Sequence, residues 1–134
     1  MDDEPAPRPT EPAPYGDFEA DCPARLGTDL FANRWLPVVV YMLRDGPMRP
    51  GDLRVRIGGV SQKMLTQTLR RMEGMALVER RRYAEAPPRV EYGLTEAGRD
   101  LLVPILALGD WVDRHGAAVA AAMDEAEARA GRSA

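Results

Sequence analysis

Four side chains between Ser61 and Met72 could do recognition chemistry: Lys63, Thr66, Gln67 and Arg70. They recur at helical spacing, and all four can donate hydrogen bonds. Arg and Lys donate to guanine edges, and Gln bonds adenine edges, in the major groove of a duplex. That chemistry reads bases and does not break bonds. Halfway round the same helix, Leu65, Leu69 and Met72 fall at i, i+4 and i+7 and share an apolar face. Ser61 is a suitable N-cap for the run. Ser61 and Gln62, at the helix start, join the four as candidate nucleic-acid contacts.

A second basic segment follows. Gly74 predicts a helix break, Leu77–Tyr83 a strand, and Val90–Leu94 a second strand with Val90, Tyr92 and Leu94 on one side. A Pro87-Pro88-Arg89 loop lies between them. A polar helix followed by a basic hairpin is what a winged helix-turn-helix needs: the helix enters the major groove, and the hairpin reaches phosphates or the neighbouring minor groove. Alternation sends Arg80 and Arg82 to one side of the first strand and Arg81 to the other, so not all three can touch one duplex. Arg80, Arg82 and Arg89 complete the set of candidate contacts.

Other chemistry is sparsely provided. The single cysteine, Cys22, excludes an intrachain disulfide and a Cys-only zinc site, and the single histidine, His115, argues against a His-based cluster. No Ser/His/Asp or Cys/His set, phosphate loop or zinc spacing is present, so neither catalysis nor a cofactor is expected. Met42, Met64, Met72 and Met75 read most simply as core. Cys22 has two readings. A thiol near a helix N-terminus, with Arg25 close by, has its thiolate favoured and its reactivity raised; a free cysteine is equally at home as a small half-buried hydrophobe.

The chain has 134 residues, enough for one domain with appendages, and 45% of them are hydrophobic. No apolar run approaches the roughly 20 residues of a membrane span. The N-terminal stretch is acidic and Pro-rich with no basic-then-apolar signal pattern, so a cytoplasmic protein is expected. The formal charge of −3 is unevenly spread: residues 1–21 carry −6, residues 22–115 carry +4, and residues 54–89 alone carry +6. Screening confines the field to about 8–10 Å, so the local excess decides what the surface attracts. Residues 1–21, with prolines recurring among acids, are predicted to be a disordered tail.

The elements that must position the basic surface follow from period and punctuation. Ala24–Phe31 is predicted as a short helix with Leu26, Leu30 and Phe31 on its apolar side. Asn33 caps a dense apolar helix ending near Arg44, with Pro37 in its first turn. A third helix, Pro50–Ile57, places Leu53 and Ile57 inward, and Gly58-Gly59-Val60 turns into the polar helix. Thr95 caps a further helix through Leu101, Leu102, Ile105 and Leu106 to Trp111, interrupted by Pro104. Gly116 marks a break before an Ala-rich helix or tail at residues 116–134. The fold class is mainly α with a small β-hairpin wing, the winged domain spanning residues 22–115.

Several blocks together resemble the HxlR family of bacterial regulators, relatives of the MarR proteins: Cys22-Pro23, Asp29-Leu30-Phe31-Ala32-Asn33-Arg34-Trp35, Asp52-Leu53-Arg54, Val60-Ser61-Gln62-Lys63-Met64-Leu65-Thr66-Gln67, Leu77-Val78-Glu79-Arg80, and Pro87-Pro88-Arg89-Val90-Glu91-Tyr92-Gly93-Leu94-Thr95. The resemblance implies a homodimer, joined through its first and last helices, on a pseudo-palindromic double-stranded DNA operator, repressing or activating nearby genes, with repression the expected output. It implies that the Lys63/Thr66/Gln67/Arg70 face reads bases and phosphates and that Arg89 at the wing tip reaches the minor groove. Some members sense electrophiles or disulfide stress through a cysteine at the Cys-Pro position, and a small-molecule effector between the dimer helices and the winged domain is a further possibility. Thr68 stands where many members have Arg, a change expected to thin the phosphate contacts, and Pro37 with Ala32-Asn33 is expected to shift the start of the second helix. The competing reading is a winged-helix module that binds protein and not DNA; such domains usually lack a donor-rich helix face.

Overall fold

The computed structural model describes residues 25–133. Cys22 and the acidic N-terminal stretch lie outside the described residues. Among the described residues, six helices and one hairpin run in the order α1 (Arg25–Leu30), α2 (Leu36–Met42), α3 (Pro50–Ile57), α4 (Gln62–Gly74), β1 (Val78–Tyr83), β2 (Arg89–Leu94), α5 (Glu96–Asp100) and α6 (Leu102–Ser133).

The core sits where α2, α3 and α4 meet the root of the hairpin. Leu36, Val39, Val40 and Leu43 fill its centre, Leu53 closes it from α3, Leu65, Leu69 and Met72 from α4, and Val78 and Tyr92 from the strands. Each large apolar side chain so buried contributes about 1.5–3 kcal/mol, so the apolar face of α4 fixes the helix in place and leaves its polar face outward. Asn33 does not cap α2 as expected: the N-cap is Trp35, with no side-chain cap, and Asn33 instead closes a local turn before it, its Oδ1 accepting the Trp35 N–H at 3.0 Å. Pro37 is in the first turn, where a missing N–H costs nothing. The helix ends at Met42, short of Arg44, and its Tyr41 is exposed with the Arg44 guanidinium stacked 4.0 Å from the ring centroid.

Two turns depend on unusual backbone. Gly58 and Gly59 both have φ of 69°, which only glycine adopts without strain, and they turn the chain from α3 into α4. α4 ends at Gly74, where the break was expected, and the left-handed position that reverses the chain is Ala76, with φ of 57°. The hairpin is antiparallel with Val78 opposite Leu94 and Tyr83 opposite Arg89. Met48 adds a single bridge to its far side, exchanging both backbone hydrogen bonds with Tyr92 at 2.9 Å.

Several expectations are corrected. Leu26 is exposed, so Leu30, with Phe31 just past the helix end, is what packs here against the core. Met64 is 44% exposed, not core. The interruption near Pro104 falls at Leu101, between α5 and α6, and leaves the proline in the first turn of α6. Gly116 breaks nothing: α6 is one helix of 32 residues, about 48 Å at 1.5 Å per residue. None of its residues is buried; Leu102 and Ile105 reach the core, while Leu108, Trp111, Val112, Val119 and Met123 are open to solvent. No helix among the described residues is long and apolar enough to cross a membrane.

Candidate nucleic-acid interface

The candidate surface is built on α4. Ser61 is its N-cap, in extended backbone, and its Oγ accepts the Met64 N–H at 3.1 Å. The buried residues Leu65, Thr68, Leu69 and Met72 lie on one side. Lys63, Gln67 and Arg70, at i, i+4 and i+7, are all exposed on the other. Thr66 is half-buried at the edge of this face and accepts a 3.4 Å hydrogen bond from Gln62 Nε2. The helix therefore presents two cations and an amide in a row along its free side. Thr68 is only 3% exposed and turned to the core, so a threonine there takes nothing from the outward face, contrary to the expected thinning of phosphate contacts.

The hairpin has two unlike faces. Directly opposed residues share a face in an antiparallel ladder. Arg80 stands opposite Tyr92 and Arg82 opposite Val90, on the side that packs to the core at the hairpin root. Both arginines are exposed, and neither makes an ion pair among the described residues. The other face carries Glu79, Arg81, Tyr83, Arg89 and Glu91. There Arg81 approaches Glu79 at 3.7 Å, and Arg89 lies 3.3 Å from Glu85 and 3.5 Å from Glu91. The Arg89 guanidinium also covers the Tyr83 ring, 4.2 Å from its centroid. Arg89 does stand at the loop end of the ladder, but its side chain is already occupied by the wing's own carboxylates.

Glu85, Glu91 and Tyr83 are absent from the set chosen by sequence. The hairpin register held the signal: once Tyr83 is set opposite Arg89, counting back places Arg81 opposite Glu91. A third element was also missed. Arg49, exposed just before α3, lines a cleft of about 390 Å³ with Pro50, Glu85, Pro87, Pro88, Arg89 and Val90. His115 is exposed on α6 with its ring 5.6 Å from that of Trp111. Among the described residues no group of three His, Cys, Asp or Glu side chains is placed to hold a metal ion.

A buried-backed polar helix followed by an arginine-bearing hairpin defines the chain as a winged helix-turn-helix protein of the transcriptional-regulator class. Its sequence carries the assignment further: the chain belongs to the HxlR-like helix-turn-helix family, which matches residues 30–120. It is 39% identical over 108 residues to the HTH-type transcriptional regulator YtfH of Escherichia coli K12, covering 81% of this chain and 86% of that one. The solved structure of the transcriptional regulator ytfH from Salmonella typhimurium is similar with a TM-score of 0.67 and 37% identity, covering 80% of this chain and 96% of that one. The redox regulator HypR in its oxidised form is similar with a TM-score of 0.64 and 34% identity, covering 69% and 96%. The match to the family stops within α6, so the last turns of that helix extend beyond it.

Proposed function

We propose that the chain is a sequence-specific DNA-binding repressor that acts as a homodimer on a pseudo-palindromic operator. The observation that carries this reading is the exposed row Lys63, Gln67 and Arg70 on a helix whose opposite face is locked into the core. Lys63 and Arg70 supply phosphate and guanine contacts, Gln67 reads adenine, and Ser61, Gln62 and Thr66 fix the helix at the groove edge. Arg80 and Arg82 supply the wing's standing charge. The second subunit docks along the apolar side of α6, where Leu108, Val112, Val119 and Met123 recur at helical spacing and lie open. A two-fold pair of reading helices then meets two half-sites one or more helical turns apart.

Thiol control through Cys22 belongs to the same reading. It is supported by likeness to a chain described as a redox regulator and by the chemistry of a thiol preceding a helix. With one cysteine per chain, a disulfide would join two subunits or take a small thiol as partner.

The deciding experiment selects duplexes from a random-sequence pool with the full chain and measures their binding by fluorescence anisotropy across a salt series. A two-fold-symmetric consensus, bound with a steep inverse salt dependence, is the expected result. Absence of any duplex binding at low salt would overturn the reading in favour of a protein-binding winged helix. Repeating the titration with an electrophile on wild type and Cys22→Ser tests the thiol: a response that survives the substitution removes Cys22 from the mechanism.

A further inference from the structure

We propose that Glu85 and Glu91 latch Arg89 against the wing and thereby set how sharply the wing distinguishes a narrow minor groove from ordinary duplex. This rests on the DNA-binding reading above. The guanidinium of Arg89 is bracketed by the two carboxylates, at 3.3 Å and 3.5 Å, and stacked on Tyr83. Its Nε is shut off from solvent and yet donates to no acceptor with hydrogen-bond geometry. The latch is thus electrostatic and only partly satisfied. A buried N–H without a well-aligned acceptor gains by leaving for a better one.

The contrast with the other face gives the latch its consequence. Arg80 and Arg82 stand exposed with no acid partner among the described residues and meet any duplex on equal terms. Arg89 meets a duplex only after leaving Glu85 and Glu91, which then remain close to the phosphates and repel them. Partly exposed ion pairs are weak, so the barrier is one that a strong local field can overcome. A narrow minor groove concentrates negative potential and draws in arginine, whereas average duplex offers less. The carboxylates therefore withhold Arg89 from most sequences and release it at a few. Glu85 and Glu91 are specificity-determining residues that act through Arg89 and touch no base.

The test uses the isosteric, uncharged pair Glu85→Gln and Glu91→Gln. Wild type, E85Q/E91Q, R89A and E85Q/E91Q/R89A are titrated against a random-sequence duplex and against a duplex selected by the wild type. The double variant is expected to tighten on random duplex by roughly two- to fivefold, the range an ion pair of this exposure spans. It should gain less on the selected duplex, and the gain should vanish when Arg89 is removed. An equal gain without Arg89, or no gain at all, overturns the proposal while wild-type binding keeps the DNA-binding reading intact. A wild type that binds neither duplex overturns that reading and with it the recognition half of the latch. The latch itself is read without DNA, from the Arg89 Nε–H nuclear magnetic resonance signal, assigned by its loss in R89A. Faster exchange of that proton in E85Q/E91Q is expected; an unchanged signal overturns the latch whatever the DNA titrations give.

Discussion

The hydroxyl of Thr95 donates to the carbonyl of Ala76 at 2.6 Å, and the same oxygen accepts the Gly98 N–H at 3.1 Å. One side chain therefore caps α5 and clasps the turn between α4 and β1. The Thr95 N–H adds a third tie, to Leu77 O at 3.1 Å. Gly98 completes the clasp, because any Cβ there would run into the Leu77 carbonyl. The clasp ties the turn after the reading helix to the end of the wing's second strand. Thr95→Val should lower unfolding stability by about 1–2 kcal/mol through the lost cap and hydrogen bond. Gly98→Ala should cost more, above about 2 kcal/mol, since backbone and not a side chain must yield. Urea unfolding of the two variants beside wild type checks both values and their order.

The neighbouring Ala76 should respond in the opposite direction. A left-handed φ costs an L-residue about 1–2 kcal/mol, and glycine escapes that cost while losing more entropy on folding. Ala76→Gly is expected to raise stability by roughly 0.5–1 kcal/mol net. A lower unfolding midpoint would show that the turn is held by contacts the alanine methyl makes.

On the reading helix, cation and amide should separate by phenotype. Lys63→Ala and Arg70→Ala should weaken binding to all duplexes and lower the salt slope by about one each where the contact is to phosphate. Gln67→Ala should leave the slope alone and relax base preference at one position, by about 1–3 kcal/mol of discrimination. Selection from a random pool with each variant distinguishes the two outcomes.

The reading helix was legible because one signal repeats: apolar residues at helical spacing, a serine cap before them, and donors on the other side. The hairpin was legible from alternation. What escaped detection has no local period. Met48 pairs with Tyr92 as a single-residue bridge, too short to alternate. The helix stops at Gly74, as glycine's low helix propensity predicts, but the left-handed position falls two residues later, at an alanine that marks nothing in the sequence. Pro104 looked like a kink until the helix start at Leu102 made it a first-turn proline. Arg89 was chosen by composition, as an arginine beside prolines in a loop; its engagement depends on a carboxylate four residues back and another two residues on along the same strand. Sequence spacing finds which cations exist more readily than which are already paired.

The long helix predicts its own failure mode. Val112 and Val119 are seven residues apart on one side of α6 and are 54% and 40% exposed. An aspartate at either position would place a charge in the proposed seam between subunits, where an unpaired charge is strongly disfavoured. Val112→Asp and Val119→Asp should yield a folded monomer by analytical ultracentrifugation, with helical circular dichroism retained because neither residue serves the core. Duplex binding should fall by at least about tenfold, since each half-site is then held alone. A dimer that persists in both variants would move the interface elsewhere.

The two faces of the wing give the last prediction. Arg80 and Arg82 point to one side of β1, unpaired among the described residues, and Arg81 points to the other beside Glu79 and opposite Glu91. If the wing meets phosphate with its unpaired side, removing charge there should matter and removing it on the neutralised side should not. Arg80→Ala and Arg82→Ala should each weaken duplex binding several-fold and flatten the salt dependence by about one counterion. Arg81→Ala should leave affinity within about twofold, because its charge is already balanced and exposed pairs contribute little. The three substitutions lie within three consecutive residues of one strand, so differences in overall charge, helicity or expression cannot separate them; only the face each side chain occupies can. Equal losses from all three would mean that the wing acts as a diffuse positive charge, and a larger loss from Arg81 would bring the length of the Glu79/Arg81 face, and not the Arg89 tip alone, against the duplex.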